Sequence, residues 1–541
     1  MSVAQRRSSR PPLYFVIPAA LVAAAMLLPA VYLVIRTAEA GDAVWTLLLR
    51  DRTWRVLVNT VALAAAVSAA SVAVGVPLAW LTTRTDLPGR RFWGVMSVLP
   101  LAIPSLVGAF AFVSAWAQGG LVHQLLRQVA GVARMPDLYG FPGAWLVLTL
   151  LTYPYVVLSV RGALWGLDPS QEEAARSLGH GTWSVLWRVT LPQLRPAIAS
   201  GALLVALYTL SDFSAVALLQ FESFTQAIYV QYQATFNRSY AAVLSLVLVA
   251  LTVIILGLEA MARGRGRYYK VSAGAARRPP IVPLGRWKWP AVAFCALTGL
   301  VAVVVPAGVN VYWLVRGLVL GMGVQLDWQA LGNSVYAALL AAGASVACAL
   351  PVAILSVRWP GRLAALLERA AYVGYALPGI VVALSLVFFA ANYARPLYQT
   401  MALLVFAYVV LFLPQGLGAI RASLLQVSPN VENAARSLGL PPWRVALTVT
   451  LPLVRPGIIT GATLVFLTVM KELPATLLLS PLGFRTLTTR IWSNVSEAFY
   501  IQAAAPALLL VLASSVSVAI LLANEQRRDR ATRRTPPAGE A

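Results

Sequence analysis

Twelve apolar runs, each long enough to cross a bilayer, follow one another along this chain and leave it few alternatives. Their approximate limits are 13–35, 57–82, 93–116, 143–165, 196–219 and 240–258 in the first half. The second half has 289–315, 331–357, 369–391, 398–420, 456–479 and 501–523. In lipid, only helices and closed barrels satisfy their own backbone groups. These runs are too long and continuous for barrel strands, so the expected fold class is an all-α polytopic membrane protein. Composition agrees. Of 541 residues, 59% are apolar and 11% charged, against about 25% charged in a soluble domain. The run 13–35 follows a basic start, Met1 to Arg10, yet it is span length and lacks a good small-residue cleavage site. It reads as the first span.

A net charge of +23 would suit a nucleic-acid binder if a soluble face displayed it. Here the positive charges sit in loops between apolar runs, so no nucleic-acid partner is expected and membrane lipid is. Alternate loops are unequal: thirty Lys and Arg fall on the side of the N-terminus, eleven on the other, and Lys471 lies within a run. By the positive-inside rule both termini face the cytoplasm. Arg263 to Lys288 alone holds eight of them. Cys295 and Cys348 lie in apolar runs and read as small core residues.

The chain also repeats itself. Residues 172–201, EEAARSLGHGTWSVLWRVTLPQLRPAIASG, match 432–461, ENAARSLGLPPWRVALTVTLPLVRPGIITG, at 17 of 30 positions without a gap. That offset is 260, and Pro154 and Pro414 keep it. Upstream, Asn59-Thr60 to Pro77 match Asn333-Ser334 to Pro351, and Pro104 matches Pro378, at an offset of 274. Six spans separate matching points, so the halves have the same orientation: two parallel six-helix repeats about a pseudo-two-fold along the membrane normal. The implied division is 1–56 (N-terminus, first span, outer loop), 57–258 (first transmembrane domain) and 259–288 (basic linker). Then come 289–330 (seventh span and outer loop), 331–523 (second transmembrane domain) and 524–541 (cytoplasmic tail).

The repeated segment is polar enough to lie outside the bilayer. Asp168-Pro169 and Ser428-Pro429 have the form of helix starts, and Glu172, Glu173 and Glu432 favour a helix N-terminus. Gly179 and Gly439 end that helix, and a second short one runs to Leu191-Pro192 or Leu451-Pro452. The pattern is E-A-A, three residues, Gly, nine residues, an apolar residue, one residue, Leu-Pro. It is met by Glu173-Ala174-Ala175, Gly179, Val189 and Leu191-Pro192, and again by Asn433-Ala434-Ala435, Gly439, Val449 and Leu451-Pro452. This resembles the permease signature of binding-protein-dependent ABC importers. The likeness runs roughly from Val56 to Ala523, and it implies a coupling helix seated in a groove of an ATPase subunit, twice. Asn433 stands where the family carries Glu, so the loops are expected to be inequivalent. The stretches 207–221, 224–239, 469–492 and 496–511 resemble, more narrowly, fused twelve-span permeases of ferric iron uptake. Permeases for thiamine, phosphonates and other small solutes share the architecture, so those cargoes stay open.

No GxxxxGK[ST] loop is present, so the chain does not cradle ATP itself. The resemblance implies two ATPase subunits, an extracytoplasmic solute-binding protein, and no cofactor on this chain. His123 and His180 are isolated in loops, with no metal-ligand spacing or catalytic constellation around them. An ion-coupled secondary transporter is the alternative of another class, since it too has two parallel halves and often a basic linker. It wants several intramembrane carboxylates or histidines, and it has no use for two signature loops. A membrane-embedded enzyme finds no nucleophile here. Asp212 and Glu472 are the acidic residues inside runs, 260 apart, on the fifth and eleventh spans. With Tyr208 and Lys471 they are candidates for the translocation path, Lys471 being also a candidate structural partner of either carboxylate.

Overall fold

The computed structural model describes residues 11–39, 41, 43–116, 120–131, 138–167, 169–234, 238–264, 281–323 and 326–534. Asp168 and most of the 259–288 linker lie outside them. Among the described residues the elements are helical, apart from one isolated bridge between Thr85 and Val282. Among the described residues, nine helices are long and apolar enough to span a membrane, or up to eleven when two bent pairs each count as one. The described apolar part of the last helix, Tyr500–Val516, is shorter than a span.

Four of the expected runs are broken inside, and their sequences say why. The run 93–116 divides into Arg90–Met96, a 3-10 turn Leu99–Ala102 and Ser105–Trp116. Pro100 and Pro104 remove backbone donors there, and a residue before proline disfavours the helical region. Its repeat bends by 104° between Arg362–Ala376 and Gly379–Tyr393, at the matching Pro378. The fifth run stops at Ser211 and resumes as Ser214–Leu218; the eleventh stops at Val469 and resumes as Pro474–Leu479.

The chain forms two compact units that interleave in sequence. One comprises 1–47, 231–249 and 327–490, the other 48–230, 250–326 and 491–541. In the first, Leu13–Ala38 packs on Trp328–Arg358, Arg362–Ala371 and Gly379–Tyr393. Phe15 meets Trp359 at 5.6 Å, and Asn392 Nδ2 donates to Tyr32 Oη at 3.3 Å. In the second, Val305–Val319 packs on Ser105–Trp116 and on the last helix. Trp313 and Phe110 lie 5.4 and 6.0 Å from Tyr500. The opening helix of the first repeat is thus cored by the second repeat's sequence, and that of the second repeat in part by the first's.

Three helices form the heart of each unit. In one they are Asp51–Arg84, Phe141–Gly166 and Leu191–Ser211; in the other, Trp328–Arg358, Met401–Gln426 and Arg455–Val469. Lipid offers no hydrophobic drive between helices, so association rests on close backbone approach at small residues. A Cβ on Gly201 would stand 3.0 Å from Val156 Cα, and one on Gly75 2.9 Å from Val156 Cβ. At the repeat-related position, a Cβ on Gly461 would stand 3.1 Å from Gly416 Cα.

Candidate functional site

Each signature loop opens with a nine-residue helix, Pro169–Ser177 or Pro429–Ser437. In the second copy Ser428 Oγ accepts the Asn430 N–H at 3.3 Å, capping the start. Both helices close identically. Gly179 N–H donates to Arg176 O and His180 N–H to Ala175 O; Gly439 and Leu440 repeat this with Arg436 and Ala435. This is the Schellman closure, and it needs a left-handed residue. Gly179 has φ +84° and Gly439 +85°.

The closure turns one face outward. Leu178 and Leu438, beside the glycines, are 81% and 85% exposed. Glu173, Ala174, Asn433 and Ala434 are exposed with them, whereas Ala175 and Ala435 turn inward and are buried. An exposed leucine flanked by small residues and a tight turn suits a protein partner's groove.

The buried carboxylate is the residue before each triplet. Glu172 Oε1 accepts from Thr190 Oγ1 at 2.9 Å and from Arg84 Nη2 at 3.5 Å. Glu432 Oε1 accepts from Thr450 Oγ1 at 2.9 Å and from Arg358 Nε at 3.0 Å, with Arg358 Nη2 at 2.8 Å. A buried charge needs a partner of opposite sign and hydrogen bonds on its lone pairs. Here both come from other elements: the arginine from the end of a long helix, the threonine from a π-helical turn, Leu186–Thr190 or Ala446–Thr450. The bracket ties the loop to two transmembrane helices. Sequence reading credits Glu172 and Glu432 only with a helix-end effect and passes over Arg84, Arg358, Thr190 and Thr450. The signal is present: the arginines keep the offset of 274 and the threonines that of 260.

The path candidates are placed differently from a single continuous helix through Asp212. Leu191–Ser211 ends before it, and Asp212 Oδ1 accepts the Ala215 N–H at 2.8 Å, capping Ser214–Leu218. Glu472 Oε1 accepts the Ala475 N–H at 3.2 Å in the repeat. The reason is local: a carboxylate three residues ahead satisfies an N–H freed by the break. Tyr208 packs on Tyr155, ring centroids 5.8 Å apart. Lys471 makes no ion pair among the described residues.

Beyond each break the chain returns through another duplicated device. Thr60 Oγ1 accepts the Phe224 N–H at 3.0 Å, and Ser334 Oγ the Leu487 N–H at 2.8 Å. Asn59 Nδ2 donates to Glu222 O at 3.3 Å, and Asn333 Nδ2 to Arg485 O at 2.9 Å. The repeated Asn-Thr and Asn-Ser pairs hold the start of the helix after the break.

The chain is similar to known proteins. The family described as binding-protein-dependent transport system inner membrane component matches residues 71–265 and again 345–530. An Fe(3+)-transport system permease protein, FbpB 2 of Haemophilus influenzae, is 35% identical over 516 residues, 95% of this chain and 98% of its own. The ferric transport system permease protein FbpB of Actinobacillus pleuropneumoniae is 26% identical, covering 86% of this chain and 70% of its own. The molybdenum transport system permease protein ModB of Escherichia coli is 27% identical over 216 residues, 39% of this chain but 93% of its own. Two family matches in one chain, each carrying its own bracketed loop, make this protein a fused, two-copy member of the inner-membrane permeases of binding-protein-dependent ABC importers.

Proposed function

We propose that this chain is the translocating subunit of an ATP-driven ferric iron importer. The iron assignment is supported by the 35% identity that spans almost all of both chains. Two ATPase subunits dock on the signature loops and consume ATP, a solute-binding protein delivers cargo at the opposite face, and this chain carries no cofactor. Both termini are cytoplasmic. The observation that carries the coupling reading is the duplicated loop itself: an exposed Leu–Gly tip on a base held by a buried Glu–Arg–Thr bracket. A push on the tip reaches the long helices through the bracket rather than being lost in a loose loop.

Contacts to each ATPase come from Glu173, Ala174 and Gly179 in one loop and from Asn433, Ala434 and Gly439 in the other. Ala175 and Ala435 act from beneath, as packing. The broken spans mark the path, because non-helical backbone at membrane depth persists where protein or a water-filled cavity surrounds it. Tyr208, Asp212, Lys471 and Glu472 belong to those breaks.

Gly179→Asp and Gly439→Asp test the coupling reading in the reconstituted complex. Each places a side chain at positive φ and a charge on the docking face. We expect radioactive iron uptake to fall at least about tenfold with weakened ATPase association and normal membrane insertion. Normal uptake in both variants removes the coupling assignment. In the same assay, Asp212→Ala and Glu472→Ala lower uptake while sparing ATPase association; wild-type uptake in both takes the breaks off the path.

A further inference from the structure

The two brackets are built alike but filled unequally. Around Glu432 the arginine has more partners: Arg358 binds the carboxylate through Nε and Nη2 and also donates to Val427 O at 3.2 Å. Arg436 lies 3.7 Å from Glu432 Oε2 and donates to Asn433 Oδ1 at 3.3 Å. Around Glu172 the first arginine is left short. Arg84 is 2% exposed and reaches Glu172 with Nη2 alone, while its Nε and Nη1 are buried and have no hydrogen-bond partner among the described residues. Arg176 Nε is in the same condition.

Both guanidiniums line one cavity with Glu172, Thr182, Thr190 and Trp80. The cavity spans about 270 Å³ with its open mouth, and its enclosed part takes about one water-sized body. Val282 closes one side, held by its N–H donating to Arg84 O at 2.8 Å. Arg84 meets the Glu172 carboxylate, which already accepts from Thr190, and Arg176 lines the same cavity. The local charge is positive, and the unused groups are all donors. Leaving such donors dry is costly, and a small anion satisfies them.

We propose that this pocket at the base of the first signature loop binds one small inorganic anion, a halide or an oxygen of a phosphate, held between Arg84 and Arg176. The anion gives the first loop the closure that Val427 O and Asn433 give the second, so the stiffness of the first loop follows the anion around it. The bracket around Glu432 has no such need. The proposal is independent of which cargo the permease carries.

Thermal unfolding of the full chain in detergent tests it, with sodium gluconate exchanged for chloride, or for inorganic phosphate, at constant ionic strength. A ligand that binds the folded state raises the midpoint saturably. The wild type is expected to respond to at least one of the two, and the arm that responds identifies the anion. Arg176→Gln moves half-saturation up by about tenfold, the loss of one charge-assisted bond. Arg84→Lys, which keeps a charge for Glu172 but loses the fork of donors, has the same effect. Arg436→Gln leaves the response as in wild type. A flat response in both arms means the pocket holds water only and overturns the proposal. So does an unchanged half-saturation in Arg176→Gln.

Discussion

The first and second signature loops differ on their surfaces and agree in their interiors. Glu173 faces out where the second copy has Asn433, and His180 stands where it has Leu440. Beneath them, Glu172 with Thr190 and Glu432 with Thr450 make the same 2.9 Å contact. Burial explains the contrast. Removing one member of a buried charged bracket leaves the other uncompensated, whereas an exposed side chain changes at little cost. The first loop also carries a strap that the linker supplies. Leu284 N–H donates to Asp86 Oδ1 at 2.8 Å, Lys288 Nζ lies 3.5 Å from Asp86 Oδ2, and Val282 bridges Thr85.

The largest effect should come from the tighter bracket. Glu432→Ala strands Arg358 in the interior and should cost about 3–5 kcal/mol, read as a fall in the unfolding midpoint of the purified chain. Glu172→Ala should cost less, because Arg84 is already half-unsatisfied. An equal loss would mean the two brackets are energetically alike despite their geometry.

Surface inequality comes next. Glu173→Gln removes a charge able to bind a cation on the ATPase and should lower coupled uptake by about tenfold. Asn433→Ala should lower it by about twofold, since only a neutral hydrogen bond is lost. Matched small losses would reduce both residues to helix formers.

The strap gives the smallest effect and a pH dependence. The Leu284 N–H holds the Asp86 carboxyl below the usual carboxylate range, and Lys288 adds to this. A depressed folded pKa means the strap's contribution is complete above the unfolded value, about 4. It is lost as pH falls through the lower folded value. With intrinsic exchange at each pH divided out, the protection factor of the Leu284 amide should therefore fall below about pH 4, and Asp86→Asn should show a lower protection factor already at pH 7. Exchange independent of both would detach the strap from Asp86.

Much of this protein is legible in its sequence because bilayer physics is severe. A run of apolar residues long enough to span has one structural outcome, and a gapless repeat at 17 of 30 positions declares the duplication. The exposed loop face was legible as well, since Gly179 and Gly439 are required by backbone geometry that no other residue meets cheaply. The breaks were not. Asp212 and Glu472 look like charges along continuous helices, and only the fold shows each carboxylate facing an N–H three residues on.

Sequence by itself determined the fold class, the two repeats and the residues at the loop tips, because each follows from periodicity, length or local backbone preference. Tertiary structure decided which glutamate is buried, which arginine meets it and which helix each repeat lends to the other unit. Arg84 and Glu172 are 88 residues apart, and Arg358 and Glu432 are 74 apart. No local rule reaches across such distances. They meet because close packing at Gly75, Gly201 and Gly461 brings the helices together, and a charge carried inward must then find its partner.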